Sequence, residues 1–131
     1  MIIDTSAIIA ILAGEPDAEH FAQRIESDPA PRIGAPALLE ATLVLTRWFG
    51  DGAEAALDAF VRESGAEIVA FDLPQLRAAQ NAYLRFGKGR HPAALNYGDC
   101  MSYALAHVCD EALLFKGHDF VQTDIRQVSP Q

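Results

Sequence analysis

Positive charge is scarce in this sequence: 10 Lys and Arg stand against 18 Asp and Glu, a formal charge of −8. A module that coats DNA or RNA by long-range attraction needs the opposite sign. That class is disfavoured. An enzyme that draws cations to its own acidic site is not, nor is a protein that rests against a basic partner segment. Cysteine is scarce too. Cys100 and Cys109 fall in one helical stretch, poorly placed to pair, which points to a reducing cytoplasm. No apolar run approaches the ~20 residues of a membrane span. The N-terminus lacks the basic region and cleavage site of a signal peptide. Repeats, low-complexity tracts and linkers are absent as well. What remains is a chain of 131 residues, half of them hydrophobic, expected to fold as one unit over 1–131 with a real core.

Short apolar runs alternate with longer helical patterns. Residues 1–4 read as a strand and 5–13 as a helix closed by Gly14-Glu15-Pro16. A second helix is expected from Pro16 to Ser27, and a short strand at Ile33-Gly34-Ala35. Pro36 suits the first turn of a helix carrying Leu38, Leu39, Leu43, Val44 and Trp48. Asp51 with Glu54 has capping-box spacing for the next helix. A strand at 67–71, a helix at 73–86, a helix at 98–109 and a strand at 112–115 follow, with a last short strand expected around 126–128. Strands separated by helices at this rhythm predict an α/β fold with a mostly parallel sheet covered on both faces.

Against that frame several acids stand in unusual places. Asp4 ends the first strand, where ligands of open α/β sheets gather. Glu40 lies in an otherwise apolar helix, Asp99 at the start of a small-residue helix, and Asp119 just after the strand Leu113-Leu114-Phe115. Each has an ordinary reading. Asp4 and Asp99 serve equally well as helix N-caps, Glu40 as a charge favouring the helix dipole, and Asp119 as a turn residue. Their joint placement at one sheet edge is what points to chemistry. Carboxylates ~4 Å apart repel by roughly 4 kcal/mol at an effective dielectric near 20. An all-oxygen acidic site is therefore suited to Mg²⁺ or Mn²⁺, ions that promote phosphodiester hydrolysis.

Four blocks in order now carry a resemblance. They are Met1-Ile-Ile-Asp-Thr-Ser6, Glu40 within a Leu/Ala helix, Asn96-Tyr-Gly-Asp-Cys100 followed by Tyr103-Ala-Leu-Ala106, and Leu113-Leu-Phe-Lys-Gly-His-Asp-Phe120 followed by Thr123-Asp-Ile125. Over essentially its whole length the chain resembles PIN-domain ribonucleases, specifically VapC-type toxins of toxin–antitoxin pairs. The resemblance implies a three-layer α/β/α sandwich. It implies a metal-dependent endoribonuclease with Asp4, Glu40, Asp99 and Asp119 as its acidic centre and Asp4 and Asp99 as the ligands of Mg²⁺ or Mn²⁺. Thr5 and Ser6 would lie near the ion or orient Asp4, and Asn96 would be a supporting or substrate contact. Relatives often carry an acid or Asn directly after the Lys-Gly pair. Here His118 stands there, so His118, Asp119 and Asp124 contend for the fourth place, with Asp119 preferred. The resemblance further implies a homodimer, a cognate antitoxin, and cleavage of single-stranded or loop RNA to 5′-phosphate and 3′-hydroxyl ends. The first helix and the one carrying Phe21 and Ile25 are candidates for the antitoxin groove, or plain core.

The basic loop Arg85, Lys88, Arg90 and His91 either grips the RNA backbone or is simply solvated. It is not a phosphate-binding P-loop, for the Gly spacing and the Ser/Thr after Lys are missing. Asp-nucleophile phosphatases want a second Asp where Ser6 stands. A PIN-like fold used for RNA binding or interaction without catalysis is the alternative, and it predicts a broken acid set.

Overall fold

The computed structural model describes residues 1–128; the expected unit over 1–131 runs on through 129–131, which lie outside the described residues. The element order is β1 (Ile2–Ile3), α1 (Thr5–Leu12), α2 (Ala18–Glu26), β2 (Arg32–Gly34), α3 (Ala35–Phe49), α4 (Ala53–Ser64), β3 (Glu67–Val69), α5 (Leu73–Phe86), α6 (Tyr97–Cys109) and β4 (Leu113–Leu114). The strands form a four-stranded sheet in the order β3-β2-β1-β4. Every pairing is parallel, with Ile2 beside Arg32 and Leu113, and Ile33 beside Ile68. This is the expected three-layer α/β/α arrangement.

Side-chain alternation along the strands builds a core on each face. Ile3 and Leu114 point to the face that α1, α2, α3 and α4 cover with Ile8, Phe21, Ile25, Leu45, Leu57 and Phe60. Their neighbours Ile2 and Leu113 point to the opposite face, under Ala82, Phe86, Tyr103 and Leu105 of α5 and α6. Burial on both faces is why β1 and β4 read as continuous apolar runs. Phe21 and Ile25 are buried, so on α2 those positions are core.

Several boundaries move. The two outer positions of the 1–4 run are not strand: Asp4 is extended but already caps α1, its Oδ2 accepting from the Ser6 amide at 3.0 Å. α2 starts at Ala18 rather than Pro16. The Asp51–Glu54 capping box does not form; Gly52 is the N-cap of α4 and makes no side-chain cap. At the other end of α4, Gly65 takes φ +69°, the left-handed geometry that closes a helix. Glu40 lies beyond the first turn of α3, which contains no acid, so the dipole reading of that residue lapses. The expected strand at 126–128 is reduced to a single bridge. Leu113 N–H donates to Arg126 O at 2.8 Å and Val128 N–H to Leu113 O at 3.0 Å.

Candidate active site at the carboxyl edge of the sheet

Asp4 is 5 % exposed, and its carboxylate is held on both oxygens. Oδ2 accepts from the Ser6 amide at 3.0 Å and from the Ser6 hydroxyl at 2.5 Å. Oδ1 accepts from the buried Ser102 hydroxyl at 2.5 Å. Ser6 Oγ in turn accepts from the Lys116 amide at 2.9 Å, which ties the end of β1 to the segment after β4. Thr5 turns the other way: its hydroxyl donates to Ala37 O at 3.1 Å and fixes α1 against the helix that carries Glu40. Thus Ser6 orients Asp4, while Thr5 braces the scaffold.

Asp99 sits in the first turn of α6. Asn96 is the N-cap, accepting from the Asp99 amide at 2.9 Å, while Asp99 Oδ2 accepts from the Asn96 amide at 3.0 Å. The reciprocal pair fixes Asp99 and engages the Asn96 side-chain oxygen in the cap. Burial pushes the Asp99 carboxyl up to about 7, against the pull of the Asn96 amide, and the charges of Asp119, Asp4 and Glu40 add to the rise. Four acids from distant parts of the chain therefore share one electrostatic field. Glu40 reaches them across Gly98: a Cβ there would overlap both of its carboxylate oxygens. Only glycine leaves that room.

Among the described residues no three of these groups close into a ready-made cage for an ion. The reason is visible in the bonds. Asp4 and Asp99 are each turned into local hydrogen bonds, and Asp119 lies exposed in the turn after β4. The donor set is nonetheless all oxygen, and its charges add to the effect of burial in raising the Asp99 carboxyl. A divalent cation would relieve that repulsion, so the residues fit one.

Of the other contenders, Asp124 has partners of its own. Asp124 accepts from the Tyr103 hydroxyl at 2.6 Å and pairs with Arg85 at 3.3 Å. Against the penalty of its partial burial, those two partners bring its carboxyl below the usual range. His118 is exposed in the turn. Arg85 belongs to the last turn of α5, is committed to Asp124, and lies over the Phe86 ring at 4.6 Å. Arg90 Nε donates to Leu84 O at 3.2 Å, and Lys88 is exposed. The sequence reading passed over Ser102 and Gly98. Ser102 stands three residues after Asp99, on the same helical face, and that spacing was a legible signal. Gly98 carried none until α3 was seen packed against α6.

The PIN domain family matches residues 1–126. A VapC ribonuclease of Mycobacterium bovis is 45% identical over 129 residues, covering 98% of each chain. The VapC20 toxin of Mycobacterium tuberculosis, described as cleaving the Sarcin-Ricin loop, superposes with a TM-score of 0.78 at 18% identity, covering 97% of each chain. A toxin–antitoxin complex from Klebsiella pneumoniae contains a chain of the same fold, with a TM-score of 0.73, 16% identity, and coverage of 99% of this chain and 97% of that one. On sequence and fold together, the chain belongs to the PIN-domain family of VapC ribonuclease toxins.

Proposed function

We propose that Asp4, Glu40, Asp99 and Asp119 are the catalytic centre of a divalent-metal-dependent endoribonuclease, with Asp4 and Asp99 holding Mg²⁺ or Mn²⁺. The observation that carries this reading is geometric: Ser6 and Ser102 fix the Asp4 carboxylate, the Asn96 amide fixes Asp99, and the Glu40 carboxylate lies against Gly98 beside Asp99. The acid set is complete, which disfavours a fold used for binding alone. When bound, the ion would supply positive charge to a phosphodiester oxygen and to water. The chain's own residues then do the positioning. Ser6 and Ser102 lock the Asp4 oxygens, the Asn96 amide aims Asp99, and Glu40 over Gly98 is placed to take a proton from the attacking water.

The same reading includes an antitoxin, as in the Klebsiella complex. A groove of about 440 Å³ between α1, α2 and α4, lined by Ile11, Ala22, Ile25 and Phe60 with Glu26 and Glu63 at its edge, suits an amphipathic segment bearing basic residues. A homodimer is supported by the exposed Trp48, Phe49, Leu73, Leu76 and Leu84. A cytoplasmic setting is supported by the two free cysteines, and no helix among the described residues is long and apolar enough to cross a membrane.

The test is RNA cleavage by the wild type, Asp4→Asn and Asp99→Asn, each with Mg²⁺ and with chelator. Both variants are expected to fall to the level the wild type shows in chelator. Activity that survives both substitutions would sink the metal-centre reading.

A further inference from the structure

Beside the carboxylates lies an apolar slot of about 230 Å³ between the first half of α3 and the start of α6. Leu39 and Leu43 form one wall, Tyr97 and Met101 the other, and Glu40 and Gly98 line it too. The slot is therefore continuous with the acidic centre. Leu39 and Leu43 are each 61 % exposed and Tyr97 is 80 % exposed. Apolar surface left open against an active site marks a binding surface rather than leftover core. Tyr97 is also well anchored at its base: it is the first residue of α6, directly after the Asn96 cap that bonds to Asp99. Its backbone is fixed while its ring is left free to meet a ligand.

Charge does not supply the grip on RNA here. The protein carries −8, and the cations near the site are largely engaged. Lys116 Nζ bonds Glu15 at 3.2 Å and Asp17 at 3.1 Å, and Arg85 pairs with Asp124. An acidic protein that binds a polyanion needs another source of affinity. Stacking of a base on an aromatic ring is such a source, and it is insensitive to net charge. The slot is sized for one flat ring, far short of the surface a partner helix needs.

We propose that this slot takes one unstacked nucleobase of the RNA substrate, stacked on Tyr97 and held against Leu39 and Leu43, next to the phosphodiester cleaved at Glu40 and Asp99. The assignment rests on the reading of those carboxylates as the catalytic centre. It makes Tyr97 a substrate-binding residue that sets KM and which base is accepted beside the cut.

The experiment measures binding of labelled oligoadenylate, and of the same ribose-phosphate chain lacking its bases, to the full-length Asp99→Asn protein with and without Tyr97→Ala. Tyr97→Ala is expected to weaken oligoadenylate binding about 5- to 100-fold. The abasic chain should bind weakly to both proteins and ignore the substitution. Tyr97→Phe and Tyr97→Trp should keep the affinity. In the otherwise wild-type enzyme, Tyr97→Ala should raise KM with little change in kcat. Equal oligoadenylate binding with and without the Tyr97 ring overturns the proposal. So does a Tyr97→Ala protein that sediments as a smaller species with RNA binding intact, since the slot then seats a second copy of the chain. Cleavage that survives Asp99→Asn counts against the carboxylate reading alone, because the Tyr97 comparison is made on binding.

Discussion

The two ends of the sheet treat their carboxylates in opposite ways. At the amino end four acids have cations. The Met1 ammonium pairs with Asp28 at 3.0 Å and Glu111 at 3.5 Å, Arg32 bridges Glu67 and Glu111 at 3.7 Å, and Arg126 meets Asp110 at 3.1 Å. Burial tends to raise the Asp28 carboxyl, but the Ala30 amide and the terminal ammonium bring it below its usual range. At the carboxyl end, among the described residues, Asp4, Glu40, Asp99 and Asp119 form no salt bridge, and Asp99 rises to about 7. One end pairs these acids with cations; the other leaves its four without one, and there Asp99 holds its proton up to about 7. Acids that a fold declines to pair are better functional candidates than acids that are merely numerous.

The largest expected break in this comparison comes from Gly98→Ala. The new methyl displaces the Glu40 carboxylate, the far end of a flexible side chain, so folding is little affected. Misplacement of a catalytic group by about 1 Å can cost ~100-fold in rate. Single-turnover cleavage should fall by about that factor while the melting temperature holds or rises, since Ala is the better helix former. Next, Ser102→Ala frees Asp4 Oδ1. The Mg²⁺ concentration for half-maximal cleavage should rise roughly 10-fold, the scale of lost supporting contacts at metal sites.

A smaller effect separates the two ends by pH. The folded Asp99 carboxyl titrates at about 7 against 3.8 for the free group. Its stabilisation is thus complete below 3.8 and lost as pH rises through 7. In chelator the melting temperature should drop by ~5 °C between about pH 5 and about pH 8, and Mg²⁺ should restore it. Asp28 has the opposite sign: its carboxyl is lowered, so its contribution is present above 3.8 and lost as pH falls through the folded value. Asp28→Asn is the mildest of the series. It should lower stability at neutral pH by ~0.5 kcal/mol, as for a partly exposed ion pair, and leave cleavage unchanged. A melting temperature in chelator that ignores pH around neutrality would erase the contrast between the two ends.

Much of this was legible because it is local. Strand and helix alternation follows from short strands, of which β1, β2 and β4 each bury 2 residues, set between amphipathic helices. Asp4 and Asp99 were each poised between cap and site; Asp4 does cap α1, whereas the cap of α6 is Asn96 with Asp99 answering it from the first turn, and both acids share a field with the others. A first-turn carboxylate is fixed in direction by the backbone it bonds, so the two roles are compatible. What was not legible is relational. Asp124 is drawn away by Tyr103, 21 residues back, and by Arg85, 39 back, and no window of sequence contains both. The basic loop read equally as an RNA grip or a solvated segment, and no stretch of sequence foretold that Arg85 would meet Asp124 or Arg90 the Leu84 carbonyl. Asp51 and Glu54 had the right spacing for a cap, yet Gly52 is the cap, which leaves Asp51 outside the helix and Glu54 in its first turn.

Gly98 has a consequence in genetics. The residue is an empty space that Glu40 needs, and filling it does little to the fold. Cells selected to survive overexpression of this ribonuclease should therefore collect substitutions at Gly98 alongside those in the acids themselves. Such survivors would still accumulate full-length, folded protein. A screen based on abundance or solubility would pass every one of them as intact.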